Sequence, residues 1–309
     1  MALLDMPVIS ENRAAQALAV FLRASFSFGL DVVTRQFLLF AYAVQAGDAV
    51  TAEELAGLAA VSRTQPPKSL LSHTGDVSEI CQLLAASCPS VTEHVQLAGY
   101  LFSLEGGDGS GKTTQTTRLA DALQKNGYKA VATRALGASH AGALKLRELI
   151  LDPDLVWTPF AEALLSLSIY RESFVRVIVP ALRDGSVVVS DRLIDTALVY
   201  FRNDAAGVTP AVLQSLYDIL VQDIAPHLMP RCTFVLDISY EQAMARRDVR
   251  TSGRMDRNED KGEKFHRHVL DEYRRLAKAG SRLLMVSALA PAEEITAHLY
   301  ERVIEEIGK

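Results

Sequence analysis

From about residue 100 onward, short runs of apolar residues alternate with longer stretches whose apolar positions recur every three to four residues. The runs have the length of strands and the stretches have the period of helices. Tyr100 to Glu105 is the first run. A glycine cluster follows it, then a helical pattern over Lys112 to Lys125 that Asn126-Gly127 stops. Tyr128 to Thr133 predicts a second strand. A long helical stretch runs from Pro159 to Arg183 and ends at Asp184-Gly185. Ser186 to Ser190, with valine at every inner position, carries the signature of a strand covered on both faces. Cys232 to Leu236 and Leu283 to Ser287 are further buried-strand candidates, each followed by a helical pattern. The alternation predicts an α/β domain, a parallel sheet of about five strands flanked by helices.

Residues 1–96 are patterned differently, almost wholly as helix, with a Pro and Ser interruption near Thr64 to Leu70. Residues 51–64 read as the first helix and turn of a helix-turn-helix, and Thr34 to Ala46 as the helix behind it. That outline would make the domain winged-helix-like. Its charge points elsewhere. The region holds five basic residues (Arg13, Arg23, Arg35, Arg63, Lys68) against nine acidic ones, the reverse of what a phosphate backbone attracts. Pro66 and Pro67 fall where a recognition helix would begin. A packing or dimerisation module is favoured over nucleic-acid binding. The division is therefore a helical domain over 1–96 and an α/β domain over 97–309.

Composition adds bounds. With 309 residues, 49% hydrophobic and 22% charged, the chain can bury real cores. A formal net charge of −5 means that an anionic substrate must be held by local positive charge. Cys81, Cys88 and Cys232 form no paired ligand or disulfide pattern, which suits a reducing compartment. Arg23 and Arg35 interrupt the most apolar stretch, and Met1 to Ser10 lacks a basic n-region. A soluble, cytoplasmic protein is expected.

The sharpest chemical signal is Gly106-Gly107-Asp108-Gly109-Ser110-Gly111-Lys112-Thr113, which fits G-x-x-x-x-G-K-[ST] between a predicted strand and a predicted helix. Glycines let successive N–H groups turn inward to chelate phosphate oxygens, and the following helix adds the positive end of its dipole. Lys112 supplies a point charge for the terminal phosphates of a nucleotide, and the Thr113 hydroxyl a ligand for Mg²⁺. A glycine-rich turn with no ligand would need neither. The pattern predicts a P-loop NTPase fold that binds ATP or GTP through Gly106 to Thr114. Asp191, after the valine strand, is placed to approach the metal, and it also reads as the cap of the next helix. Arg192 beside it suits an acceptor phosphate.

These segments resemble the thymidylate kinase family. Residues 102–115 (FSLEGGDGSGKTTQ) are similar to the family's opening strand and loop, and residues 191–200 (DRLIDTALVY) to its DRY-x-DS-x-x-AY signature. Residues 254–259 (RMDRNE), with Phe265 and Tyr273 behind them, resemble its lid. The resemblance covers about 100–309 and leaves the first 96 residues outside. It implies transfer of the γ-phosphate of ATP, with Mg²⁺, to a nucleoside monophosphate, in a homodimer. By position, Asp108 would bind the acceptor's 3′-hydroxyl, Arg134 and Arg192 its phosphate, and Tyr200 its sugar. Gly109 stands where some relatives carry an arginine, so the resemblance assigns the transition-state cations to Arg254 and Arg257.

The departures from the family cluster at the base. Residues 134–139 read RALGAS where R-E-P-G-G-T is usual. Ser166 or Leu167 takes the place of the stacking aromatic, and Tyr170 that of the base-binding arginine, with Arg171 one residue along. Ala197 and Phe201 replace polar residues of the second signature. The first expectation is a dTMP kinase. One alternative is a kinase for a modified pyrimidine or another deoxynucleotide. The other is an ATP-dependent regulatory protein whose N-terminal domain is the output.

Overall fold

The computed structural model describes residues 12–65, 77–88, 96–136, 140–202, 204–222, 225, 228–250, 262–280 and 282–308. Four helices come first: α1 (Arg13–Ala24), α2 (Val32–Ala46), α3 (Ala52–Val61) and α4 (Val77–Ser87). Then β1 (Tyr100–Glu105), α5 (Lys112–Lys125), β2 (Ala130–Arg134), α6 (Ala141–Leu151), α7 (Pro159–Ser173), α8 (Val179–Arg183) and β3 (Val187–Asp191) alternate. The chain goes on through α9 (Ile194–Tyr200), α10 (Pro210–Val221), β4 (Cys232–Asp237), α11 (Tyr240–Arg250), α12 (Gly262–Ala279), β5 (Leu283–Ser287) and α13 (Ala292–Ile307).

The five strands form one parallel sheet in the order β2-β3-β1-β4-β5, as the alternation predicts. Every residue of β3 is buried, which is what its valines require. Leu104 of β1 pairs with Asp191 of β3, so the carboxyl ends of these central strands lie level. In a sheet of this kind a ligand crevice opens at that edge.

Two expectations shift. The predicted helix over 159–183 is interrupted by a π turn at Phe174–Ile178. Pro180 has no N–H for residue 176, and the wider turn accommodates its ring. Asp191 does not cap α9, because it is the last residue of β3 and Leu193 takes the cap position.

The N-terminal helices share a core with the sheet domain. Every residue of α7 except Pro159 is buried, and a helix buried all round needs cover on every side. On one side the cover comes from α2, whose Phe37, Leu38 and Phe40 join Leu164, Leu165 and Leu167 of α7 in one cluster, and α6 and α10 pack on α7 as well. Polar clamps fix both ends. At the start of α7, the Gln45 amide donates to the Val156 carbonyl at 3.0 Å and accepts from the Thr158 N–H at 2.8 Å. At its end, Thr34 donates to Glu172 at 2.9 Å and Arg171 pairs with Asp31 at 2.9 Å. The two helices therefore run antiparallel. The helix-turn-helix reading finds α2 and α3 in place, while Pro66, Pro67 and any recognition helix lie outside the described residues.

Candidate functional site

Where β1 ends, the chain turns through Gly106, Gly109 and Gly111 at φ +130°, +80° and +95°, conformations open to glycine. Space demands glycine too. A Cβ on Gly106 would meet the Leu236 carbonyl oxygen at 2.7 Å, and one on Gly109 that of Ala243 at 2.4 Å. Lys112 opens α5 and folds back over the loop, donating to the Gly107 carbonyl at 2.7 Å. Its ammonium is buried beside Arg192, and both effects pull it down to about 8 despite Asp108, Asp191 and Glu105 nearby.

The first turn of α5 and the ends of β2 and β3 deliver the next groups. Thr113 donates to Asp191 at 2.5 Å. Arg134, the last residue of β2, donates to the Thr113 hydroxyl at 2.8 Å and lies 3.4 Å from Asp191. Thr113 and Asp191 thus present a hydroxyl and a carboxylate side by side. Hard oxygen donors of this type suit Mg²⁺, which takes one or two protein ligands and fills the rest from water and phosphate. Among the described residues there is no dedicated cage of three or more His, Cys, Asp or Glu side chains.

Arg192 has a backbone φ of +69°, unusual for a residue with a side chain. Its N–H donates to the Leu104 carbonyl at 3.0 Å. Its guanidinium reaches Asp108 at 2.5 Å, the Gly106 carbonyl at 3.3 Å and the Thr196 hydroxyl at 3.3 Å, and lies 5.0 Å from the centroid of the Tyr200 ring. Burial disfavours the Asp108 charge, but Arg192 and Lys112 outweigh it and hold the carboxyl below its usual range.

Two clefts meet here. Gly109, Gly111, Lys112, Thr113, Thr114 and Asp191 line the first. The second is lined by Ser166, Thr196 and Tyr200 and by the apolar Ile150, Ile169 and Phe201. Asp108, Leu136, Arg147 and Arg192 line both clefts. Arg147, which donates to the Leu136 carbonyl at 2.9 Å, escaped sequence reasoning because an arginine on a helix reads as a solvated charge.

The remaining predicted site residues fall elsewhere. Arg171 does not join the second cleft. It is buried against the N-terminal helices, paired with Asp31 and donating to the Leu220 carbonyl at 2.6 Å, because one residue of offset turns it about 100° around α7. Tyr170 is fully buried, and its hydroxyl has no hydrogen-bond partner among the described residues. Arg254 and Arg257 lie between α11 and α12, outside the described residues. No described helix is long and apolar enough to cross a membrane.

Comparison with known proteins agrees with this geometry. The family model described as thymidylate kinase matches residues 104–299. The thymidylate kinase of Caulobacter vibrioides is 34% identical over 212 residues, covering 68% of this chain and 98% of that one. That of Halothermothrix orenii is 34% identical over 208 residues, covering 67% and 97%. That of a Synechococcus strain is 36% identical over 203 residues, covering 65% and 93%.

Proposed function

The chain belongs to the thymidylate kinase family of phosphotransferases, and we propose that it transfers the γ-phosphate of Mg-ATP to dTMP, giving ADP and dTDP. The observation that carries this reading is the placement of Arg192 and Asp108 at the junction of the two clefts, beside the loop that holds Lys112.

In this reading Gly106 to Thr114 cradle the donor phosphates, and Lys112 neutralises charge on the terminal ones. Thr113 and Asp191 would hold Mg²⁺, which when bound offsets phosphate charge. Arg134 and Arg192 hold the acceptor phosphate in line, Asp108 accepts from the 3′-hydroxyl, and the Tyr200 ring packs on the sugar. An acceptor phosphate oxygen then bonds to the γ-phosphorus as its bond to the β–γ bridging oxygen breaks. Alignment and charge neutralisation carry the rate, so the protein needs no covalent intermediate. Arg254 and Arg257 are assigned to the transferring group on the resemblance alone.

A second reading, a modified pyrimidine or another deoxynucleotide as acceptor, is favoured by the apolar Ile150, Ile169 and Phe201 in the lining of the second cleft and by Tyr170, buried where the resemblance expects a base-binding arginine. A base met by apolar groups in place of polar ones is discriminated weakly. The regulatory reading loses ground, since a sensor needs no clamp on an acceptor phosphate. Residues 1–96 serve in this account as a packing module for the domain over 97–309. A cytoplasmic location and a homodimer follow from the resemblance, and the dimer would use a face other than the one α2 covers. The test is coupled ADP release with dTMP, dUMP, 5-hydroxymethyl-dUMP, dCMP, dGMP and UMP. Turnover highest with dTMP supports the first reading, and highest with another acceptor supports the second.

A further inference from the structure

Glu105 is fully buried at the end of β1, and none of the transfer roles above uses it. Its carboxylate accepts from the Leu193 N–H at 2.7 Å, the Thr196 hydroxyl at 2.6 Å and the Tyr273 hydroxyl at 2.9 Å. Those donors come from the turn after β3, the first turn of α9 and helix α12.

We propose that Glu105 is a positioning residue for the transfer: it fixes the turn that presents Arg192 and ties that turn to α12. The proposal rests on the phosphotransfer reading of the site. Left-handed backbone at a residue with a side chain persists only where its surroundings over-determine it. Here Arg192 is pinned on both sides, its own N–H on the Leu104 carbonyl and the next N–H on Glu105. The side chain is pinned as well. Thr196 has one proton and gives it to Glu105, which leaves its lone pairs to accept from the Arg192 guanidinium at 3.3 Å. The donor chain therefore runs from Arg192 through Thr196 to Glu105. Asp195, Arg192, Lys112, Tyr170, Tyr200, Tyr273 and Arg282 are the charged and titratable groups around the carboxylate. A buried network of this kind is costly unless each member is satisfied, and it fixes one arrangement when all are.

Glu105→Gln keeps the size and reverses the polarity. If the amide oxygen stays on the Leu193 N–H, its NH₂ takes the Thr196 lone pairs and competes with Arg192. With Mg-ATP and dTMP, kcat falls about 30-fold and the KM for dTMP rises, while the KM for ATP stays within about twofold. Hydrogen exchange in the full-length chain quickens about tenfold at amides 192–197 and in α12, with β4 and β5 unchanged. Thr196→Val breaks the same chain from its other end and serves if the first variant does not fold, with the same split between the two KM values expected. Wild-type kinetics and exchange in Glu105→Gln would overturn the proposal. Failure of the wild-type chain to phosphorylate dTMP would remove the kinase reading instead, and the exchange pattern would still decide the role of Glu105.

Discussion

The Arg192 guanidinium donates to the Asp108 carboxylate at 2.5 Å, so the cation facing both clefts is matched by an anion of the phosphate loop itself. An acceptor phosphate has to compete with that pair, and the 3′-hydroxyl would give Asp108 a new partner. Asp108→Asn should lower kcat/KM for dTMP by about 100-fold, the size of a lost charge-assisted hydrogen bond or slightly more. The same variant should lose its preference for dTMP over 3′-deoxy-dTMP. Equal discrimination in variant and wild type would remove Asp108 from the sugar site.

Lys112 predicts a pH dependence of nucleotide binding. Burial and the neighbouring Arg192 bring its ammonium down to about 8 in the free protein, and donor phosphates would raise it again. Above pH 8 the free protein has lost a proton that the complex keeps, so ATP affinity falls as pH rises, by up to about tenfold per unit. Calorimetry at pH 7 and 9, in buffers of different ionisation heat, should show proton uptake at the higher pH alone.

Glu105 predicts an opposition between stability and activity. Burial, then the nearby Asp195 charge, pushes its carboxyl up to about 7, against 4.5 for the group in an unfolded chain. Between these values the folded state binds more protons than the unfolded one, so stability drops as pH rises through that window and stays lower above it. Glu105→Gln, which carries no charge, should therefore melt higher relative to wild type at pH 8 than at pH 4.5. A constant difference in Tm across that range would contradict the assigned environment.

The packing of α2 on α7 predicts that the first domain is needed for the second. Phe37 is fully buried at this contact, and Phe37→Ala should cost about 3–5 kcal/mol in denaturant unfolding. A chain cut to residues 97–309 would expose the apolar side of α7 and should self-associate or precipitate. A soluble, stable fragment would show that α2 is dispensable cover.

The parts legible in the sequence were those whose signal is local. The phosphate loop is contiguous, and its glycines, lysine and threonine carry the geometry wherever the loop is placed. The valines of β3 announce burial on both faces by themselves. Arg171 was misplaced because one residue decides which side of a helix a side chain faces, and the sequence alone did not set that register. Glu105 was invisible because two of its partners, Leu193 and Tyr273, lie 88 and 168 positions away. The residues of α2 declare that the helix is buried, but nothing in their pattern names α7 as the partner.

The most direct test of the account is to incubate the protein with Mg-ATP and dTMP and separate the nucleotides by chromatography, with Lys112→Ala alongside. The account predicts dTDP and ADP in equal amounts from the wild-type chain and almost none from the variant. ATP bound but no phosphate transferred to dTMP, or to any other nucleoside monophosphate, would contradict it.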